Sequence, residues 1–273
     1  MIKKPIRVAL SGSGFKFPAH VGALIALRDL NYVVIEYAGT SGGSIVAALA
    51  ACGMHLDDMK VLTLNHNWKP MLTWSPLQIF KGARAAYCSG NTLLDWILEE
   101  TFHATFAHLQ IPLTIMSSDA VTQTPFEFSN KATPTAEIGF AARCSACIPG
   151  VYAAMKYQGV LLQDGGLVNN IPVDKLIRDK VPRLGIQLVS KVTPLAPNKS
   201  SLVGLLASDL NMMLSANENT HVEMDEEEGA NFSFVETGYA NGLDRNMSVE
   251  LRSQLFKDGY NATMKAMQPH AKA

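Results

Sequence analysis

The pentapeptide Gly39-Thr40-Ser41-Gly42-Gly43 constrains this chain more than any other stretch. It lies between a β-branched run, residues 33–37, and an apolar helical pattern, residues 44–52. A serine flanked by glycines at such a junction fits the G-x-S-x-G elbow, a sharp strand-to-helix turn that pushes the serine hydroxyl outward. The glycines are there because a Cβ would collide with the neighbouring turn. The helix that follows aims its N-terminal amides and dipole at negative charge developing beside the hydroxyl. Gly-Thr-Ser-Gly also occurs in ordinary loops, so the strand before it and the helix after it give the pattern its meaning.

The rest of the chain repeats that alternation. Short apolar runs at 6–10, 113–117, 125–129, 160–163 and 184–189 read as strands, and residues 18–30 have apolar side chains at helical spacing. Short, fully apolar strands interleaved with helices imply a sheet buried on both faces, hence an α/β fold: a three-layer α/β/α sandwich with a largely parallel central sheet. At 273 residues and 48 % hydrophobic the chain can bury a sizeable core, and it shows no repeat, linker or low-complexity tract, so residues 1–273 read as one domain. Lys+Arg 23 against Asp+Glu 24 leaves a net charge of −1, which argues against a nucleic-acid partner. Four cysteines do not make a disulfide scaffold.

Two segments depart from the pattern. In 60–101, Trp68, Met71, Leu72, Trp74, Leu77, Ile79 and Phe80 are scattered around Pro70 and Pro76 without a period, before a helix expected to be capped by Asn91. Residues 201–214 read as a second apolar helix outside the sheet. Each is read as core packing or as a lid or membrane-contact element. The first residues lack the ~7–15 uninterrupted apolar positions of a signal peptide, and no run reaches the ~18 of a membrane span. A cytoplasmic protein, peripheral to membranes, is the expectation, with export independent of an N-terminal signal left open. The acids at 225–228 lack the central glycine of a calcium loop and read as a solvated face.

A nucleophilic serine needs a base and a place for the oxyanion. Seven histidines offer a triad (20, 55, 66, 103, 108, 221 and 270), but only one or two strands precede Ser41, and neither His221 nor His270 sits in a convincing strand-end loop. Asp164, at the end of an apolar strand and followed by Gly165-Gly166, is the better partner, though Asp-Gly also makes plain turns. Gly12-Ser13-Gly14, after the first strand, offers backbone amides to an oxyanion, or to a phosphate as in a dinucleotide site.

In that order, Gly12-Ser13-Gly14-Phe15-Lys16, Gly39-Thr40-Ser41-Gly42-Gly43 and Asp164-Gly165-Gly166 resemble the signature of the patatin-like phospholipases. His20-Val21-Gly22-Ala23-Leu24 is similar to the family's first helix, and Ile111-Pro112-Leu113 up to Asp119 to its central strand. Cys147-Ile148-Pro149-Gly150-Val151-Tyr152 and Gly166-Leu167-Val168-Asn169-Asn170-Ile171-Pro172 resemble the segments before and after the acid, and Phe256-Lys257-Asp258-Gly259-Tyr260 the closing helix. The resemblance implies a Ser-Asp dyad without histidine: Ser41 attacks a lipid ester, Asp164 takes its proton, and the amides of Gly12, Ser13 and Gly14 hold the oxyanion. It implies no metal and no cofactor, and a phospholipid or other lipid ester as substrate. Lys16 matches a basic position that meets a lipid phosphate or braces the loop.

Two residues depart from the family's loop, Ser13 for a glycine and Phe17 for another. Ser13 costs on the order of 1 kcal/mol if its site needs a positive φ, and Phe17 narrows the groove or packs under the loop. Cys144-Ser145-Ala146-Cys147 has redox spacing but reads as small buried thiols. The rival functions are an acyltransferase or carboxylesterase using the same dyad, and a non-catalytic lipid or nucleotide binder.

Overall fold

The structure, a computed structural model, describes residues 2–189 and 222–268; the helix expected at 201–214 lies outside them. Strand β1 (Lys4–Leu10) shows how the core is organised. Ile6, Val8 and Leu10 point into the main hydrophobic core, and Ala9 into a second, smaller cluster. That is the period-two alternation of a strand buried on both faces. Strand β2 (Tyr32–Thr40) does the same, with Tyr37 on the large side and Ala38 on the small one. The small side chains let residues 171–176 and 222–232 cover that face closely.

Strands β1, β2, β3 (Leu113–Asp119), β7 (Arg183–Val189) and β8 (Asn231–Glu236) pair in parallel in the order β3-β2-β1-β7-β8. Strands β4 (Thr124–Ser129) and β6 (Val160–Asp164) join β3 antiparallel, and the short β5 (Met155–Tyr157) pairs β6. The result is the mixed α/β architecture expected, a largely parallel central sheet flanked by helices. Among the described residues no helix is long and apolar enough to cross a membrane.

The helices include α1 (Phe17–Asp29), α2 (Gly42–Ala51), α3 (Leu56–Asn65), α4 (Asn91–Glu100), α5 (Ile138–Ser145) and α6 (Val249–Ala266). Helix α1 opens on Pro18, tolerated in a first turn because that amide has no helical partner. It is buried from Phe17 to Leu27, so it lies inside the fold, with α6 packed along it. Helix α4 corrects one expectation: Asn91 is already helical, and the cap position belongs to Gly90, whose φ of 73° is left-handed. The acid run corrects another. Asp225 is buried, and burial together with the charge of Asp174 pushes its carboxyl up to about 6, while Glu226 and Glu227 face solvent.

Helices α1 and α6 touch backbone to backbone. A Cβ at Gly259 would run into the carbonyl of Ala19, and one at Gly22 into that of Phe256. Gly259→Ala sets two effects against each other. Alanine gains about 1 kcal/mol in helix propensity, but the obstacle is backbone, which has no rotamer to yield, and overpacking costs about 1–3 kcal/mol or more. Denaturant unfolding of Gly259→Ala is expected to show a net loss of stability; an unchanged or raised midpoint would mean the helices separate freely.

Candidate active site

Strand β3 sets the geometry. Its first half pairs β2, with Met116 opposite Thr40, and its second half pairs β6, with Ser117 opposite Asp164. Two adjacent residues of one strand therefore hold the end of β2, where Ser41 follows, and the end of β6, where Asp164 sits. Ser41 Oγ donates to Asp164 Oδ2 at 2.7 Å, with both residues buried.

The elbow itself is strained and tightly seated. Ser41 has φ 50° and ψ −126°, a conformation that costs a non-glycine residue about 1–3 kcal/mol. Surrounding contacts hold it there. Its N–H donates to Ser145 Oγ at 2.7 Å, Ser145 Oγ donates onward to the carbonyl of Met116, and Ser41's own carbonyl accepts from Ser44 Oγ at 2.6 Å. A Cβ on Gly42 would strike Ser13 Oγ and the Gly14 carbonyl, so only glycine lets the 12–14 loop lie against the elbow. Gly39 and Gly43 pack at the same turn, Gly43 against the end of β1.

Asp164 is placed from three sides. Gly166 N–H donates to its Oδ1 at 2.8 Å, its backbone N–H bonds the carbonyl of Cys147 at 3.1 Å, and Ser118 Oγ bonds its carbonyl at 2.9 Å. Gly165 packs on the Met116 carbonyl. Burial pushes the Asp164 carboxyl up to about 6, against the pull of the Ser41 and Gly166 hydrogen bonds and the positive charge of Arg143. A carboxyl held there titrates close to neutral pH while touching a hydroxyl, which suits it to accept a proton.

The three loop amides do not stand alike. Gly12 N–H is already given to Asn170, to its carbonyl at 3.1 Å and its side-chain Oδ1 at 3.2 Å. Among the described residues nothing accepts from the N–H of Ser13 or Gly14. The left-handed conformation falls on Gly14, φ 54°, and not on Ser13, so the strain considered for Ser13 does not arise. Phe17 packs beneath the loop, its ring centroid 5.1 Å from that of Trp68 and 5.9 Å from that of Phe15. Lys16 is buried and its Nζ donates to Thr237 Oγ1 at 3.0 Å, which ties the loop to the far edge of the sheet.

Among the described histidines none bonds Ser41 or Asp164; His221 and His270 lie outside the described residues. His20 is fully buried, its Nε2 2.8 Å from the Ser11 carbonyl, and burial drops it to about 3, so it stays neutral. Cys144 and Cys147 are free thiols that burial pushes up, and the described residues hold no cluster of metal-ligating side chains. Three contributors escape a sequence reading. Ser145 sits inside the Cys-x-x-Cys stretch, where the cysteines draw the eye. Arg143, fully buried, donates to the carbonyls of Gly90, Ser89 and Ala153 and lies 4.8 Å from the Tyr152 ring centroid. A lone arginine in a run of small residues was the available signal for it. Asn170, which engages Gly12, has no signal in its spacing.

A strained serine after a strand, bonded to a buried aspartate and set against a loop with unengaged amides, defines a nucleophile-elbow α/β protein. The chain belongs to the patatin-like phospholipase family, whose model matches residues 8–177, more than half of it. It is similar to an uncharacterized NTE family protein of Mycobacterium tuberculosis, 27 % identical over 171 residues, 62 % of this chain and 44 % of the relative. It is also similar to the human omega-hydroxyceramide transacylase, 31 % identical over 176 residues, 62 % of this chain and 32 % of that protein. The match thus takes in less than half the length of either relative. In fold it is similar to VipD of Legionella pneumophila, with a TM-score of 0.64 and 16 % identity over 97 % of this chain and 67 % of that one. It is likewise similar to ExoU in the ExoU–SpcU complex of Pseudomonas aeruginosa, with a TM-score of 0.53 and 18 % identity over 97 % of this chain and 51 % of that one.

The raised Asp164 carboxyl makes a stability prediction. Its folded value, about 6, lies above the 3.8 of an unperturbed aspartate, so the folded state holds the proton more tightly. The stabilisation is present below pH 4 and is lost as pH rises from about 4 to about 6. Asp164→Asn, which cannot ionise and keeps an oxygen for Gly166 N–H, is expected to gain stability over the wild type across that window, by up to about 3 kcal/mol at pH 7. Thermal melts of both proteins at pH 4 and pH 7 check it; a stability difference independent of pH would contradict the raised value.

Proposed function

We propose that the chain is a lipid acyl hydrolase in which Ser41 is the nucleophile and Asp164 the general base. The observation that carries this reading is the 2.7 Å hydrogen bond from Ser41 Oγ to a carboxylate with no histidine between them. Ser41 Oγ attacks the ester carbonyl carbon as its proton passes to Asp164 Oδ2. The carbonyl oxygen becomes an oxyanion held by the N–H groups of Ser13 and Gly14, with the α2 N-terminus adding its dipole. Collapse breaks the bond to the leaving alcohol, which takes the proton back from Asp164 and leaves an acyl-Ser41 ester. Water then attacks that ester, Asp164 takes its proton, and the fatty acid departs as Ser41 recovers its hydrogen.

Gly12, whose N–H is engaged by Asn170, holds the loop in place, and Gly39, Gly42, Gly43, Gly165 and Gly166 keep the two chain ends close enough to react. One domain carries the activity, on a phospholipid or similar lipid ester. An alcohol in place of water at the second step would make the same site a transacylase. The similarity to a human protein bearing that name favours keeping this second reading.

Fatty-acid release from a lipid ester, with and without added long-chain alcohol, tests both readings. Release is expected from the wild type, falling at least 1,000-fold in Ser41→Ala, and the wild-type kcat/KM is expected to drop as pH falls through about 6, as Asp164 takes up its proton. Ester formed with the alcohol at the expense of free acid identifies the transacylase. Turnover that survives in Ser41→Ala would overturn the dyad.

A further inference from the structure

The segment between Asp58 and Asp95 contains no acidic residue, and its charged side chains are Lys60, Lys69, Lys81 and Arg84, in a chain whose net charge is −1. Within it the residues divide sharply. Trp68, Met71 and Leu72 are buried. Trp74, Leu77, Ile79 and Phe80 are 56 %, 76 %, 52 % and 79 % exposed, four large apolar side chains within seven positions, the last three on the 3₁₀ turn Pro76–Phe80. Scattered exposed apolar residues need no explanation, but a contiguous group flanked by cations does.

The segment is fixed to the candidate site at both ends. Trp68 packs on Phe15 and Phe17 beneath the 12–16 loop. Tyr87 and Cys88 bond the carbonyls of Gly150 and Val151, and Arg84 Nε donates to the carbonyl of Ala154 at 2.7 Å, all in the strap that leads to Asp164. Beside the exposed group lies a groove of about 390 Å³ lined by Lys69, Pro70, Thr73, Arg245 and Asn246. Among the described residues neither Lys69 nor Arg245 has an ion-pair partner, and the nearby Asp244 carboxylate accepts from Asn246 N–H at 2.8 Å. The groove's second wall is also joined to the loop, since the Gly242 carbonyl accepts from Phe15 N–H at 2.7 Å.

We propose that this face docks on an anionic phospholipid bilayer. Trp74, Leu77, Ile79 and Phe80 enter the interface, Lys81 flanks them, and Lys69 with Arg245 clasps a lipid phosphate in the groove. An interfacial anchor needs these two terms together, apolar area against the acyl boundary and cations against the anionic headgroups. The proposal deepens the lipid-ester reading and rests on it for its purpose: a bilayer held here lies against both the oxyanion loop and the strap before Asp164.

Ether-linked vesicles, which the protein cannot hydrolyse, test the surface apart from the chemistry. Co-sedimentation is measured with pure phosphatidylcholine and with a 3:1 mixture of phosphatidylcholine and phosphatidylglycerol. The wild type is expected to bind the mixture at least 10-fold more tightly. Lys69→Gln/Arg245→Gln is expected to lose about 30-fold on the mixture, since each cation near such a surface is worth about a factor of five, while keeping its thermal midpoint. Leu77→Asp/Phe80→Asp is expected to weaken binding to both vesicle types. Equal wild-type binding to the two compositions, or wild-type affinity in a folded Lys69→Gln/Arg245→Gln, would overturn the proposal. Hydrolysis of a short soluble ester by the wild type is measured alongside. Vesicle binding without that turnover supports the surface and sinks the dyad; turnover without vesicle binding does the reverse.

Discussion

Ser41 and Asp164 are 123 residues apart in sequence, and what brings them within 2.7 Å is a division of labour along one strand. Strand β3 hands its first half to β2 and its second half to β6, so Thr40 and Asp164 are registered against neighbours, Met116 and Ser117. Backbone pairing fixes a side chain's direction as well as its position, because a slip of one residue would turn Asp164 to the other face. Met116 then serves a second time. Its carbonyl takes the hydroxyl of Ser145, which in turn takes the N–H of Ser41, so the same strand holds Ser41 through its backbone and Asp164 through the ladder.

That arrangement costs stability. Ser41 sits in a backbone conformation that a non-glycine residue avoids, and Asp164 is buried where its charged form is disfavoured. Such features persist only where the surroundings determine them more firmly than they resist. Here the surroundings are the apolar strands β1, β2 and β7, helix α1, buried from Phe17 to Leu27, and the close contact of α1 with α6. The polar groups that touch the dyad, Ser145, Ser118 and the Gly166 amide, are each engaged by a specific partner. Arg143 adds a buried positive charge on the side of Asp164, bound to the carbonyls of Ser89, Gly90 and Ala153 rather than to a carboxylate.

Much of the fold was legible because its central strands are largely apolar: residues 6–10, 33–37 and 184–189 all lie inside β1, β2 and β7, each run interrupted by a single polar side chain, Arg7, Glu36 or Gln187. Strand β5 was not, being three residues long, and β8, with Phe234 exposed on a strand carrying Asn231 and Glu236, lacks that apolar run. The expected dyad residues stand together because glycines mark both chain ends. What the sequence hides is which amides are engaged, since Asn170 reaches Gly12 from 158 residues away, and that the Cys-x-x-Cys stretch contributes its serine to the elbow while its thiols stay buried. It also hides how the 60–101 segment splits, because burial of Trp68 and exposure of Trp74 depend on which residues meet the aromatic rings of the loop.

The central claim is that Ser41 is an activated nucleophile, and labelling by a fluorophosphonate tests it most directly. The probe forms a bond from a serine oxygen to phosphorus with loss of fluoride, which intact-mass measurement and peptide mapping both read. The wild type is expected to gain one adduct, mapped to the peptide containing Ser41, with labelling much slowed in Asp164→Asn. A folded wild type that takes up no label, or a label carried by another residue and retained in Ser41→Ala, would contradict it.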